Sequence, residues 1–159
     1  MTKILIGILS FLLWIFPKSG ILLAPYQSLT FPGEKVISER IINAIETRNI
    51  DALEAMMSKN LRKSVTNLSG EISMLVDLID GEITNYSWRG SSSSDESNLG
   101  ARISRKSWTI EFNTTTDSYR MNIGWVLVNN RRPEEVGMYF MILRDSDRNL
   151  LKEIPAAKA

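Results

Sequence analysis

The sequence predicts an α+β domain, with three N-terminal helices packed on one face of a four-stranded antiparallel sheet. Three observations predict it. Apolar residues recur at helical spacing as far as Asp80, then at every second position after Gly81. The helical segments come in one run and the extended segments in another, which implies segregated layers instead of an alternating parallel fold. The chain has 159 residues, of which 43% are hydrophobic and 23% charged, a balance that suits one packed globule.

The first helix is read from "EKVISERIINAIETRN", where Ile37, Ile41, Ala44 and Ile45 share one face and the Glu, Arg and Ser residues between them face water. Asn49 and Asp51 break that run. Asp51 with Glu54 resembles a capping box for a second helix, "DALEAMMSKN", that turns Leu53, Met56 and Met57 inward. Ile72, Leu75, Val76 and Ile79 then mark a third helix, and Gly81 reads as its stop.

The extended segments follow. "EITNYSWRG" puts Tyr86 and Trp88 on one side. "SSSSDESNLG", Ser91 to Gly100, reads as a flexible polar loop. "ARISRKSWTIEFN" aligns Trp108, Ile110 and Phe112, and "YRMNIGWVLVNN" aligns Tyr119, Met121, Ile123, Trp125 and Leu127. "TTTDSYR" supplies the hairpin between these two. "RRPEE" supplies the next turn, where Pro133 removes no ladder donor. "EVGMYFMIL" is apolar on both faces, as in a strand covered on both sides.

The chain therefore divides into a leader at 1–24, a linker at 25–33, one α+β domain at 34–145 and a frayed tail at 146–159. The leader opens with Lys3 and continues in an uncharged, almost wholly apolar run from Ile4 to Phe16, the pattern of a signal peptide. As a helix that run rises only about 20 Å, short of a bilayer core of roughly 30 Å. Pro17 and Lys18 interrupt its extension toward Ala24. Export is the favoured reading, to the cell envelope or the outside. An uncleaved N-terminal membrane anchor and a buried helix are the alternatives.

Composition excludes several chemistries. With no Cys and no His, the chain has no disulfide, no thiolate nucleophile and neither of the commonest transition-metal ligands. It carries no acidic calcium-loop motif, so neither metal nor cofactor is expected. Net charge is +1, and loss of Lys3 and Lys18 with the leader brings it close to neutral, so nucleic acid is not expected as a partner. Glu82, Glu111, Glu134 and Glu135 fall at a strand start, on a polar face or in a turn, where carboxylates are ordinarily solvated. Arg131 and Arg132 beside Glu134 and Glu135 read as a solvated turn. No catalytic residue is assigned.

The order of elements, with "RIINAIETRNIDALEAMMSKN", "LIDGEITNYSWRG" and "RPEEVGMYFMILRD", resembles a bacterial family of small exported lipoproteins that is defined as a domain of unknown function. The resemblance covers Glu34 to Asp145. It implies a nuclear transport factor 2-like or cystatin-like fold, in which a curved four-stranded antiparallel sheet wraps the helices into a cone. One feature departs from the family: Ser19 and Gly20 are followed by Ile21 where a lipid-accepting Cys is typical. No thioether-linked lipid can form on Ile, so the lipoprotein inference fails while export can hold. No functional residue carries over.

The aromatic stripe admits two readings. Trp108, Phe112, Tyr119, Met121, Trp125, Met138 and Phe140 are core against Ile41, Ile45, Leu75 and Ile79, or they line a ligand cavity inside the cone. The core reading is favoured, since burying each is worth about 1.5–3 kcal/mol. In the cavity reading the candidate ligand-binding residues are Trp88, Trp108, Tyr119, Trp125 and Tyr139, because buried indole N–H and phenol O–H groups need partners. Three functions follow. The first is an exported, non-catalytic binding module for a small apolar ligand or a protein partner. The second is a cone-fold isomerase or hydratase-like enzyme. The third is a dimerisation module pairing through Val126 and Val128. The first is favoured, with membrane contact only through the N-terminal segment if it stays uncleaved.

Overall fold

The computed structural model describes residues 31–155. Four helices come first: α1 (Glu34–Glu46), α2 (Ile50–Met56), α3 (Lys59–Ser64) and α4 (Leu68–Asp77). Five strands follow: β1 (Ile83–Asn98), β2 (Ala101–Thr114), β3 (Ser118–Asn129), β4 (Gly137–Arg144) and β5 (Leu150–Ile154). They form one antiparallel sheet in the order β1-β2-β3-β4-β5. The fold is α+β, but the expected three helices on a four-stranded cone are corrected to four helices and an open five-stranded meander with β1 and β5 as its edges.

Each added element has a local cause. The segment read as one second helix splits at Met57, which is extended and bridges Met138 in parallel. Ser58 then starts α3, its hydroxyl accepting from the Leu61 N–H at 3.2 Å, a capping bond of the usual kind. The cap of α2 is Asn49, whose side-chain oxygen accepts from the Ala52 N–H at 3.0 Å, in place of Asp51. The Ser-rich stretch is no loop. It is the outer half of β1, laddered against β2 from Ser92↔Ser107 to Asn98↔Ala101 and closed by a two-residue turn at Leu99 and Gly100. Both turn residues have positive φ, 46° and 77°, the geometry of the tight hairpin turn that fits strand twist.

The fifth strand lies in the segment read as a frayed tail. The Asp145 carboxylate accepts from the backbone and side-chain N–H groups of Asn149 at 2.8 and 2.9 Å. That loop returns the chain along β4, pairing Met141 with Ile154 and Leu143 with Lys152. Ile154 is fully buried.

Cross-strand rows build the buried sheet face. One runs Trp108, Ile123, Met141, Ile154; the next runs Ile110, Met121, Leu143. They join Ile37, Ile41, Ile45, Leu53, Leu61, Ile72 and Leu75 from the helices in one core. On the other face Gly124 leaves room for an aromatic ring. A Cβ there would sit 2.2 Å from the Phe140 ring, which crosses the gap between strands.

Candidate functional site

The interior is closed by its own polar contacts. Trp108 donates its indole N–H to the Ser38 hydroxyl at 3.0 Å, and both residues are buried. The Tyr119 hydroxyl accepts from the Asp80 N–H at 3.1 Å, and its ring stacks on Phe112 with centroids 5.5 Å apart. Trp125, half-buried, packs 6.5 Å from Trp108, with Phe31 5.9 Å from each ring. The structure thus brings Trp108 and Trp125 together as core packing and places Tyr119, also buried, against Phe112. Trp88 stands 42% exposed on edge strand β1. Tyr139 is on β4 and, alone of the five, lines the cleft described next.

That cleft is half-open, about 460 Å³ in volume, within the size range of small-molecule sites. It lies where β2 begins and β3 ends. Ser58 and Asn60 come from the start of α3, Ile103 and Arg105 from β2, Val126 and Asn129 from β3, Tyr139 from β4, and Arg131, Arg132 and Glu135 from the turn between β3 and β4.

Asn129 builds this turn. It is buried, its side-chain oxygen accepts from the Arg131 and Arg132 N–H groups at 3.2 and 2.9 Å, and its amide donates to Glu135 at 2.7 Å. A short polar side chain that bonds the backbone two or three residues on is what fixes such loops. The turn is exposed from Arg131 to Glu134, as expected of a solvated turn, and its backbone is anchored from beneath by Asn129. Arg132 pairs with Glu135 at 3.1 Å, and Arg105 pairs with Glu96 of β1 at 2.7 Å. Arg131 makes no ion pair among the described residues.

Two other hollows are less well equipped. One of about 460 Å³ is bounded by Ile45, Glu46, Arg48, Val76, Ile79 and Glu82, with Arg48 held by Asp77 at 2.5 Å. The other, about 340 Å³, contains Glu111 between Arg89 at 3.2 Å and Arg120 at 2.5 Å. These ion pairs occupy Glu111, while Glu134 is exposed in its turn. The buried polar residues among those described are Ser38, Ser58, Ser104, Thr114 and Asn129, all of them neutral. Among the described residues no cluster of acidic side chains could hold a metal ion.

The sequence reading missed Arg105, Asn129, Ser58 and Asn60. The signal for Asn129 was present in "VNNRRPEE", as a turn-forming Asn just ahead of the Arg pair. Nothing in the sequence placed Arg105 opposite that turn, because the contact depends on the register of β2 against β3.

Fold and cleft together define a small α+β meander domain with a guanidinium-lined surface hollow. The model of the family described as a domain of unknown function (DUF5104) matches residues 40–152, and the chain belongs to that family. The matched span includes every residue that lines the cleft. A comparison with proteins of curated function gives no match.

Proposed function

We propose that the protein is an exported, non-catalytic binding module of the cell envelope, and that it takes its ligand in the cleft between Tyr139 and the Arg131–Glu135 turn. One observation carries the binding half of this reading. The aromatic interior is packed, with its indole and phenol groups already bonded, so the hollow that combines apolar lining with convergent polar groups is the one at the surface. A proton-transfer enzyme needs an ionisable group set within a cavity at hydrogen-bond reach of substrate. The one carboxylate in the cleft, Glu135, is already held by Arg132 and the Asn129 amide, which favours binding over that chemistry. Export rests on the N-terminal charge and hydrophobicity pattern, which lies outside the described residues. No helix among the described residues is long and apolar enough to cross a membrane.

Expression of the tagged full-length chain in a bacterial host, with a photo-cross-linking amino acid at position 139 and, separately, at 74, tests both halves. The reading expects the protein outside the cytoplasm, either trimmed near Ala24 or held on the membrane by its N-terminal segment. It also expects one defined adduct from position 139 and none from Met74, which is exposed on α4. Retention in the cytoplasm rejects export. The same diffuse labelling from both positions rejects the cleft.

A further inference from the structure

The cleft carries an electrostatic asymmetry that the whole chain lacks. Three arginines, Arg105, Arg131 and Arg132, line it together with one acid, Glu135, in a chain whose net charge is only +1. Glu135 is already engaged by Arg132 and by the Asn129 amide. Arg131 is exposed and lacks an ion pair among the described residues. The partner of Arg105, Glu96, is itself 63% exposed on the edge strand, and such a pair is weak enough for a second carboxylate to share or replace it.

Beside these charges and the neutral polar side chains of Ser58, Asn60 and Asn129, the lining has an apolar part. Ile103, Val126 and the Tyr139 ring supply an apolar surface beside the guanidinium groups. A bare inorganic anion would leave that surface uncovered, and a neutral hydrocarbon would offer nothing to Arg131, the one guanidinium of the three without an ion pair among the described residues. We infer that the cleft binds a carboxylate attached to a flat apolar body, with Arg131 and Arg132 on the carboxylate and Tyr139, Val126 and Ile103 on the body. The planar guanidinium fork matches a carboxylate in two parallel hydrogen bonds, and guanidinium and phenol faces both accept a flat ring. A free aromatic acid and the C-terminus of a peptide ending in an aromatic residue present this same chemistry. The inference rests on the binding reading above and narrows it.

Titration of the full-length protein in detergent or, if trimmed, of its mature form tests it, with affinity followed by calorimetry. The probes are 2-naphthoate, its neutral amide, inorganic phosphate, and a tripeptide ending in Phe with a free or an amidated C-terminus. The wild type is expected to bind 2-naphthoate or the free-acid peptide at least about tenfold more tightly than the matching amide, the discrimination of a charge-assisted hydrogen-bond pair. The double variant Arg131→Ala, Arg132→Ala is expected to lose about tenfold in affinity, with an unchanged circular dichroism spectrum, since Asn129 bonds the backbone of this turn and not the side chains. Tyr139→Ala is expected to weaken the aromatic acid while leaving phosphate as weak as before. Tyr139→Phe keeps the ring and separates stacking from misfolding. Preference for the free peptide identifies a chain end as the ligand, and preference for naphthoate identifies a small acid. Equal affinity for acid and amide overturns the proposal, as does phosphate binding as tightly as naphthoate, or no binding by any probe. A position-139 adduct formed by a protein that binds none of these probes keeps the binding module and rejects this ligand class. Turnover of a bound probe rejects the non-catalytic reading and keeps the class.

Discussion

Single residues decide whether the core is closed. Ser38 gives the only protein hydrogen bond that the buried Trp108 indole N–H makes among the described residues. In Ser38→Ala the small cavity is minor, but the indole N–H is left without its protein acceptor in a buried site. That costs about 1–3 kcal/mol, to be read as a lower urea midpoint with an unchanged m-value. Trp108→Phe, made on the Ser38→Ala background, should then cost less than on the wild type, since the orphaned donor leaves with the indole. Glu34 makes a second residue-scale case. Its hydrogen bond to Lys106 pulls its pKa below the ordinary glutamate value, against the opposing effect of burial, and a hydrogen bond from Ser91 adds to the lowering. The folded state therefore holds the carboxylate more firmly than the unfolded chain does. This stability is fully present above the unfolded-state pKa and is lost as pH falls through the lowered folded-state value. Lys106 also lies 5.7 Å from the Phe31 ring centroid, so Lys106→Met keeps the stem while removing the charge. Urea titrations across the acid range should show the gap between wild type and variant closing as pH falls. A gap constant down to the acid limit would mean that the ammonium's contact with the Phe31 ring, and not the ion pair with Glu34, stabilises the fold.

Among the elements, the edges of the sheet carry the expectations that are easiest to refute. Leu99 is 92% exposed and has φ 46°, in a two-residue turn with Gly100. A branched side chain at positive φ is strained by about 1 kcal/mol, and Asn tolerates the position. Leu99→Asn is expected to raise stability by about 0.5–1 kcal/mol, measured as a higher urea midpoint. At the opposite edge, Ile154 is fully buried against Met141. Ile154→Ala is expected to cost about 2–5 kcal/mol, whereas a side chain in a frayed tail would cost almost nothing. These two edges are also where the sequence was least legible. Helical spacing in Ile37–Ile45 and Ile72–Ile79, and alternation through Trp108–Phe112 and Tyr119–Trp125, showed where the central elements lie, because each has one face buried and one solvated. β1 beyond Trp88 is solvated on both faces, so no apolar period marks it. β5 is five residues long, too short to show one. α3 buries Leu61 alone. The candidate site suffered in the same way. Tyr139 was visible as an aromatic in a strand, but its neighbours come from α3, β2 and a turn, and the bulge between Ser104 and Arg105 that shifts register there has no sequence signature.

At the scale of the whole molecule, the helices and the sheet do not carry separate cores. Ile37, Ile41 and Ile45 of α1, Leu75 of α4, and Trp108, Ile110 and Met121 of the sheet belong to one buried cluster. The Trp108–Ser38 bond links residues seventy positions apart, from β2 to α1. Other long-range ties join the same layers: Lys152 of β5 meets Glu71 of α4 at 2.5 Å, and the Ser58 N–H donates to the Met138 carbonyl at 2.8 Å. A helical layer without the sheet would leave its apolar face in water. The sheet without that layer would expose two cross-strand rows of large side chains, and neither state offsets the conformational entropy of ordering its backbone. Residues 31–155 are therefore expected to unfold in one step, as small domains with a shared core do. Far-ultraviolet circular dichroism reports chiefly the helices. Tryptophan fluorescence reports chiefly Trp108 and Trp125 at the interface between layers, since Trp88 is already 42% exposed in the folded state. The two signals should trace one urea transition. Ile41→Ala on α1 and Ile110→Ala on β2 should each shift both signals together, by an amount corresponding to about 2–5 kcal/mol. Separation of the helical and fluorescence midpoints, or a variant that moves one signal and leaves the other, would mean that the sheet stands without its helices.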